Sequence, residues 1–228
     1  MIRTSKLVLS SILALLVAGT ATTAAAKPVK VFLLSGQSNM TGRGNLGHLD
    51  RAPEDQKGTL VRFIKTPENL QKLAFLHNGQ NKTDTGWTIR DDVFISLGAW
   101  PHLKPGEEGH SGYQKHGGLA PYYGGRGSRG FGPELAIGHL LGDHYDETVV
   151  LVKIAFGGNS LAGNFRPPSS GGTLGDKYPL VVTGVQDAIK HLPEIVPGYT
   201  AEQGHELVGM FWNQGLSDMN PDVATEYE

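Results

Sequence analysis

The chain has 228 residues with 20 Lys and Arg, 22 Asp and Glu, and no cysteine. That composition excludes a disulfide framework and a lipid-modified cysteine anchor. The slightly acidic balance argues against nucleic acid as a partner, because phosphate binding draws on clustered Lys and Arg.

The N-terminus carries Arg3 and Lys6, the apolar run Leu7–Ala18, and then Ala24-Ala25-Ala26. A basic start, a short apolar stretch and a small-residue site have the pattern of a secretory signal peptide over residues 1–26. The apolar run has 12 residues, against about 20 needed to cross a bilayer, so no membrane anchor is expected once it is cleaved. Cleavage after Ala26 leaves 202 residues with 18 basic and 22 acidic side chains, a formal charge of −4. The expected product is exported, secreted or periplasmic, and forms one domain over 27–228.

Val29–Leu34 is apolar and β-branched without alternation, as expected of a strand in a parallel sheet covered on both faces. Leu60–Ile64 reads as a shorter strand. The stretch from about 66 to 130 is rich in Gly, His, Pro and aromatic residues. It reads as a long insertion with short strands around 89–97, placed over the carboxyl ends of the sheet. Pro133 opens a helix that carries Leu135, His139 and Gly142 past Leu140 and Leu141, since Pro suits the first helical turn. Thr148–Ala155 is the clearest strand, and Glu206–Trp212 is another of the same kind. Between them, 179–191 forms a helix with Val181, Val182, Val185, Ala188 and Ile189 at helical spacing. Alternating strands and helices predict an α/β fold, a three-layer sandwich around a central parallel sheet. The final residues, Ala224–Glu228, read as the opening of another helix.

Three loops carry chemistry, and each follows a strand. Gly36-Gln37-Ser38-Asn39-Met40 presents a serine at a strand end, though an ordinary polar turn has the same pattern. Gly157-Gly158 either makes a tight turn or brings a backbone amide close to a ligand. Gln214 either satisfies loop backbone or aims its amide at a developing negative charge. A serine hydroxyl needs rigid presentation, a base, and donors for the oxyanion before it becomes a nucleophile.

These loops, in this order, resemble the SGNH hydrolase superfamily, in its branch of sialate O-acetylesterases and acetylxylan esterases. Gly36-Gln37-Ser38-Asn39-Met40 is similar to that branch's nucleophile block and Phe131-Gly132-Pro133-Glu134 to its helix start. Gly157-Gly158 resembles the second block, Phe165-Arg166-Pro167-Pro168 a segment after it, and Trp212-Asn213-Gln214-Gly215 the third. The resemblance implies a flavodoxin-like sheet and Ser38 as nucleophile. It implies an oxyanion hole from the Ser38 amide, an amide of Gly157 or Gly158, and the Gln214 side chain. It implies no metal or organic cofactor, and removal of acetyl groups from a carbohydrate hydroxyl through an acyl-enzyme.

Two departures stand out. Leu216 occupies a position where many members have Glu. The family's Asp-x-x-His block near the C-terminus has no counterpart: the nine histidines, at 48, 77, 102, 110, 116, 139, 144, 191 and 205, all precede Gln214. The expectation is a C-terminally incomplete esterase whose last strand, helix and catalytic Asp and His lie beyond Glu228, with low activity and poor solubility. The alternative base is a loop histidine, His110 or His116. The second functional reading is a non-catalytic carbohydrate-binding or inactive module.

Gly42-Arg43-Gly44-Asn45-Leu46-Gly47 matches a dinucleotide fingerprint, but it neither follows directly on the strand nor leads into an apolar helix. His110 and His116 lack further ligands at metal-binding spacing. Trp87, Tyr113, Tyr122 and Tyr123 either stack on sugar rings or anchor the long loop.

Overall fold

The computed structural model describes residues 26–97, 116–125 and 130–227. The segment expected to be a signal peptide, apart from Ala26, and His102, His110 and Tyr113 lie outside these residues. Among the described residues no helix is long and apolar enough to cross a membrane.

The fold is mixed α/β, built on a five-stranded, mostly parallel sheet with the spatial order β4-β3-β6-β1-β7. Its strands are β1 (Val29–Gly36), β3 (Val93–Leu97), β4 (His116–Gly118), β6 (Val149–Ala155) and β7 (His205–Asn213). β1 runs parallel to both β6 and β7, and β6 parallel to β3. Only β4 is antiparallel, pairing with β3 at one edge. A two-stranded ladder, β2 (Gly44–Asn45) with β5 (Gly130–Phe131), stands apart.

The uninterrupted apolar runs of β1 and β6 reflect burial on both faces. Val29, Val31, Val150, Val152 and Ile154 face a core completed by α5 (Tyr178–Lys190) and α6 (Leu192–Ile195). Phe32, Leu34, Val149 and Leu151 face the other way, toward α4 (Pro133–His144) and Met40. Alternate residues of one strand thus serve opposite cores, as a period of two requires.

Two expectations are corrected. Leu60–Ile64 is a helix, α2, not a strand. Thr59 caps it by accepting from the Arg62 amide at 3.2 Å. Leu60, Val61 and Ile64 are buried while Phe63 is 56% exposed, a one-sided pattern that a five-residue apolar run cannot reveal by periodicity. The short strand expected around 89–97 is present as Val93–Leu97, but this part of the Gly-rich insertion joins the main sheet by pairing with β6 rather than lying over its carboxyl ends. Residues before it form a satellite core of Leu46, Val61, Ile64, Leu76 and Trp87 against Leu135 of α4.

β7 is the other edge. Among the described residues no strand pairs with its outer side, and Leu207 and Met210 are 54% and 57% exposed. A register shift between Val31 and Phe32 marks a bulge, a common device at sheet edges.

Candidate active site

The chain visits β3 and β6 on one side of β1 before it crosses to β7 on the other. The carboxyl end of β1 therefore sits where the connections change sides, the position at which open α/β sheets hold ligands. Gly36 ends β1, Gln37 is buried, and Ser38 begins the short helix α1 (Ser38–Thr41).

Gly36 has φ 144°, a region that a side chain rarely adopts, and a Cβ there would overlap the Asn213 carbonyl. β1 and β7 can approach this closely only without it. The Gln37 amide then donates to that same carbonyl at 3.0 Å, and the Phe156 amide donates to Gly36 O at 3.0 Å. These two bonds draw the loops after β6 and β7 to the serine turn.

Side chains complete the junction. Gln37 Oε1 accepts from Gln214 Nε2 at 3.2 Å, from the Ser217 amide at 3.3 Å and from the Gly215 amide at 3.4 Å. Gln214 Nε2 also donates to Asn159 O at 3.1 Å and to Asp218 Oδ2. Asp218 is buried and accepts from the Leu161 and Ala162 amides at 2.9 and 3.0 Å. All three expected loops are thus tied into one network. Gln214 Nε2 is engaged by three acceptors, so it can serve an oxyanion only by exchanging one of them. Its Oε1 is buried without a partner.

Ser38 is half-buried, Gly157 half-buried and Gly158 exposed. Their three backbone amides donate to no other described residue. Ser38 Oγ likewise makes no hydrogen bond to another described residue. Gly158 has φ 74° with open space where a Cβ would lie, so its glycine serves the turn rather than a close contact.

His116 lies on β4, separated from β1 by β3 and β6. Three strand spacings amount to about 14 Å, which places this histidine away from the serine turn. Burial pushes its imidazole below the ordinary value. Trp87 and Tyr123 are buried in cores, and the Tyr122 hydroxyl meets Thr83 and Thr85. Trp87 and Tyr123 are buried and offer no stacking face, while Tyr122 is half-buried against the satellite core. No group of three or more His, Cys, Asp or Glu among the described residues could hold a metal ion.

Sequence reasoning missed two polar features. Asp218 follows Gln214 in the same turn and binds it. Beneath Ser38, Lys153 Nζ donates to Glu134 Oε2 at 2.7 Å, with side chains 3% and 0% exposed. A lysine within an otherwise apolar strand, and a glutamate one residue after the helix-opening Pro133, were the available signals. Burial pushes the Lys153 ammonium down from its ordinary range, and Glu134 opposes that shift.

No family model matches the chain, and no curated protein matches it. Among solved structures, an Arabidopsis thaliana protein is similar at 19% identity, with a TM-score of 0.42. The match covers 84% of this chain, which spans 59% of the length of that protein.

Proposed function

We propose that this chain carries the nucleophile of an exported serine ester hydrolase that removes acetyl groups from carbohydrate. The supporting observation is the convergence of the Ser38, Gly157-Gly158 and Gln214 loops at the carboxyl end of β1. In this reading Ser38 Oγ attacks the acetyl carbonyl carbon as a general base takes its proton. The carbonyl oxygen becomes an oxyanion that receives the Ser38 amide and an amide of Gly157 or Gly158. Gln214 joins by turning an N–H from one of its present acceptors. The sugar hydroxyl leaves with a proton, and water then attacks the acyl-serine to release acetate. The sequence resemblance to sialate O-acetylesterases and acetylxylan esterases supports the acetylated-sugar substrate, the secreted or periplasmic location and the SGNH-like form of the sheet. No metal or organic cofactor enters this scheme.

A second reading has its own observation: Ser38 Oγ makes no hydrogen bond to a His, Asp or Glu among the described residues. In that reading the chain is a non-catalytic carbohydrate-binding module. Aryl-acetate hydrolysis by residues 27–228 and by Ser38→Ala separates the two. The hydrolase reading expects a slow rate that Ser38→Ala abolishes, because an oxyanion site without its full base retains only part of the acceleration. Equal rates in the two proteins, with retained binding of an acetylated oligosaccharide, would establish the binding module instead.

A further inference from the structure

Each proton of the Lys153 ammonium has an acceptor. Nζ donates to Tyr123 O at 2.7 Å, to Glu134 Oε2 at 2.7 Å and to Thr41 O at 2.9 Å. The three segments lie 30, 19 and 112 residues from Lys153 in sequence. Thr41 is the last residue of α1, the helix that Ser38 opens. The Thr41 hydroxyl donates to Ser38 O at 2.7 Å, and the Gly42 amide donates to the same carbonyl at 3.1 Å.

The circuit closes through two glycines. Glu134 Oε1 accepts from the Gly132 amide at 2.7 Å. A Cβ at Gly42 would stand 2.6 Å from Gly132 Cα, so the backbones touch where α1 meets α4. A buried ion pair is a weak stabiliser compared with well-packed apolar residues of the same volume. It does fix geometry, because each charge demands its partners at hydrogen-bond distance.

We propose that Lys153 is a positioning residue for Ser38, holding the serine-bearing helix at a fixed height over the sheet through the Thr41 carbonyl. Its role in catalysis rests on the hydrolase reading above; its hold on α1 does not. Without the ammonium, Thr41 O keeps only the Gly125 amide, which donates to it at 2.8 Å from a loop outside the sheet, and α1 loses its polar tie to β6. The serine would then present its Oγ over a spread of positions, and displacements near 1 Å cost about 100-fold in rate.

The test uses Lys153→Met, with Lys153→Met/Glu134→Gln as a second variant that leaves no unpaired carboxylate and keeps an acceptor for Gly132. Amide hydrogen exchange is followed at Thr41 and Gly42, whose N–H groups close the α1 turn onto Gln37 O and Ser38 O. The expected result is exchange at least about 10-fold faster at these two amides, with Leu33 and Leu34 of β1 unchanged. In the hydrolysis assay, kcat of the Ser38-dependent reaction falls about 10- to 100-fold while KM holds. A folded double variant with unaltered exchange at Thr41 and Gly42 would overturn the proposal, and so would failure of both variants to fold. If Ser38→Ala leaves hydrolysis unchanged, the hydrolase reading falls, and the exchange rates still decide whether Lys153 positions α1.

Discussion

Gln37 and Gln214 lie 177 residues apart in sequence and meet through one hydrogen bond, Gln214 Nε2 donating to Gln37 Oε1 at 3.2 Å. The same oxygen receives the Gly215 and Ser217 amides, so one buried side chain organises the whole turn after β7. Gln37→Met keeps the volume and removes the acceptor. The expected cost is about 1–2 kcal/mol, since the half-buried Gly215 and Ser217 amides lose an acceptor that water replaces only in part. Urea unfolding of the two proteins measures it, and a loss below about 0.5 kcal/mol would show that the turn holds itself.

Gly36 is the residue that lets β7 approach the serine turn. Gly36→Ala forces a Cβ into the Asn213 carbonyl at φ 144°. Both the overlap and the backbone conformation oppose the substitution, and about 2–4 kcal/mol of destabilisation is expected. Thermal unfolding is the readout. A variant as stable as the parent would mean that β1 and β7 part at their carboxyl ends without penalty.

The Lys153–Glu134 pair should be asymmetric under substitution. Lys153→Met alone leaves the Glu134 carboxylate buried without its cation and is expected to cost about 3–5 kcal/mol. Adding Glu134→Gln should recover part of that loss, because the second charge no longer needs a partner. Chemical denaturation of the single and double variants gives the coupling; strict additivity would contradict a direct interaction.

His139 supplies a pH signature. Arg90 donates to His139 Nδ1 at 3.3 Å, and since a guanidinium only donates, that nitrogen accepts and the ring is neutral. Burial, reinforced by the Arg90 charge, pushes the imidazole down to about 4 despite Asp92 and Asp143 nearby. An unfolded histidine titrates near 6.5. As pH falls from about 6.5 to 4, the unfolded chain binds a proton that the native fold refuses, so stability declines across that window. With allowance for solvent screening the loss is roughly 1–2 kcal/mol. His139→Gln should flatten the stability profile between those pH values, and an unchanged slope would assign the acid sensitivity to other groups.

The exposed edge of β7 is an aggregation hazard. Met210→Lys places a charge on that edge at a residue already 57% exposed, with little expected effect on unfolding. Light scattering at matched concentration should show less association than in the parent protein. Equal scattering would indicate that association, if present, uses another surface.

Much of this architecture was legible in the sequence, and for one physical reason. β1, β6, β7, α4 and α5 are each long enough to declare a period or an apolar run; burial on both faces makes the unbroken run obligatory in β1 and β6, whereas β7 has no buried residue along its length. The three strand-end loops were legible for the same reason, because the strand that precedes each one fixes its place. Leu60–Ile64 was not, since five apolar residues fit a strand or a helix equally, and the Thr59 cap together with the satellite core decided between them. Val93–Leu97 joined the main sheet because β6 offered an open edge, a property of the assembled sheet that its own five residues do not carry.

The site divides along the same line. Gly36, Ser38, Gly157, Gly158 and Gln214 could be named from local residue types at strand ends. The Gln37–Gln214–Asp218 network and the Lys153–Thr41–Glu134 junction could not, because each joins segments far apart in the chain. Hydrogen bonds and ion pairs act over a few ångströms, so only the folded backbone determines which polar groups share a buried space. The sequence by itself determined where a serine would be presented; the tertiary structure decided which buried groups hold it there.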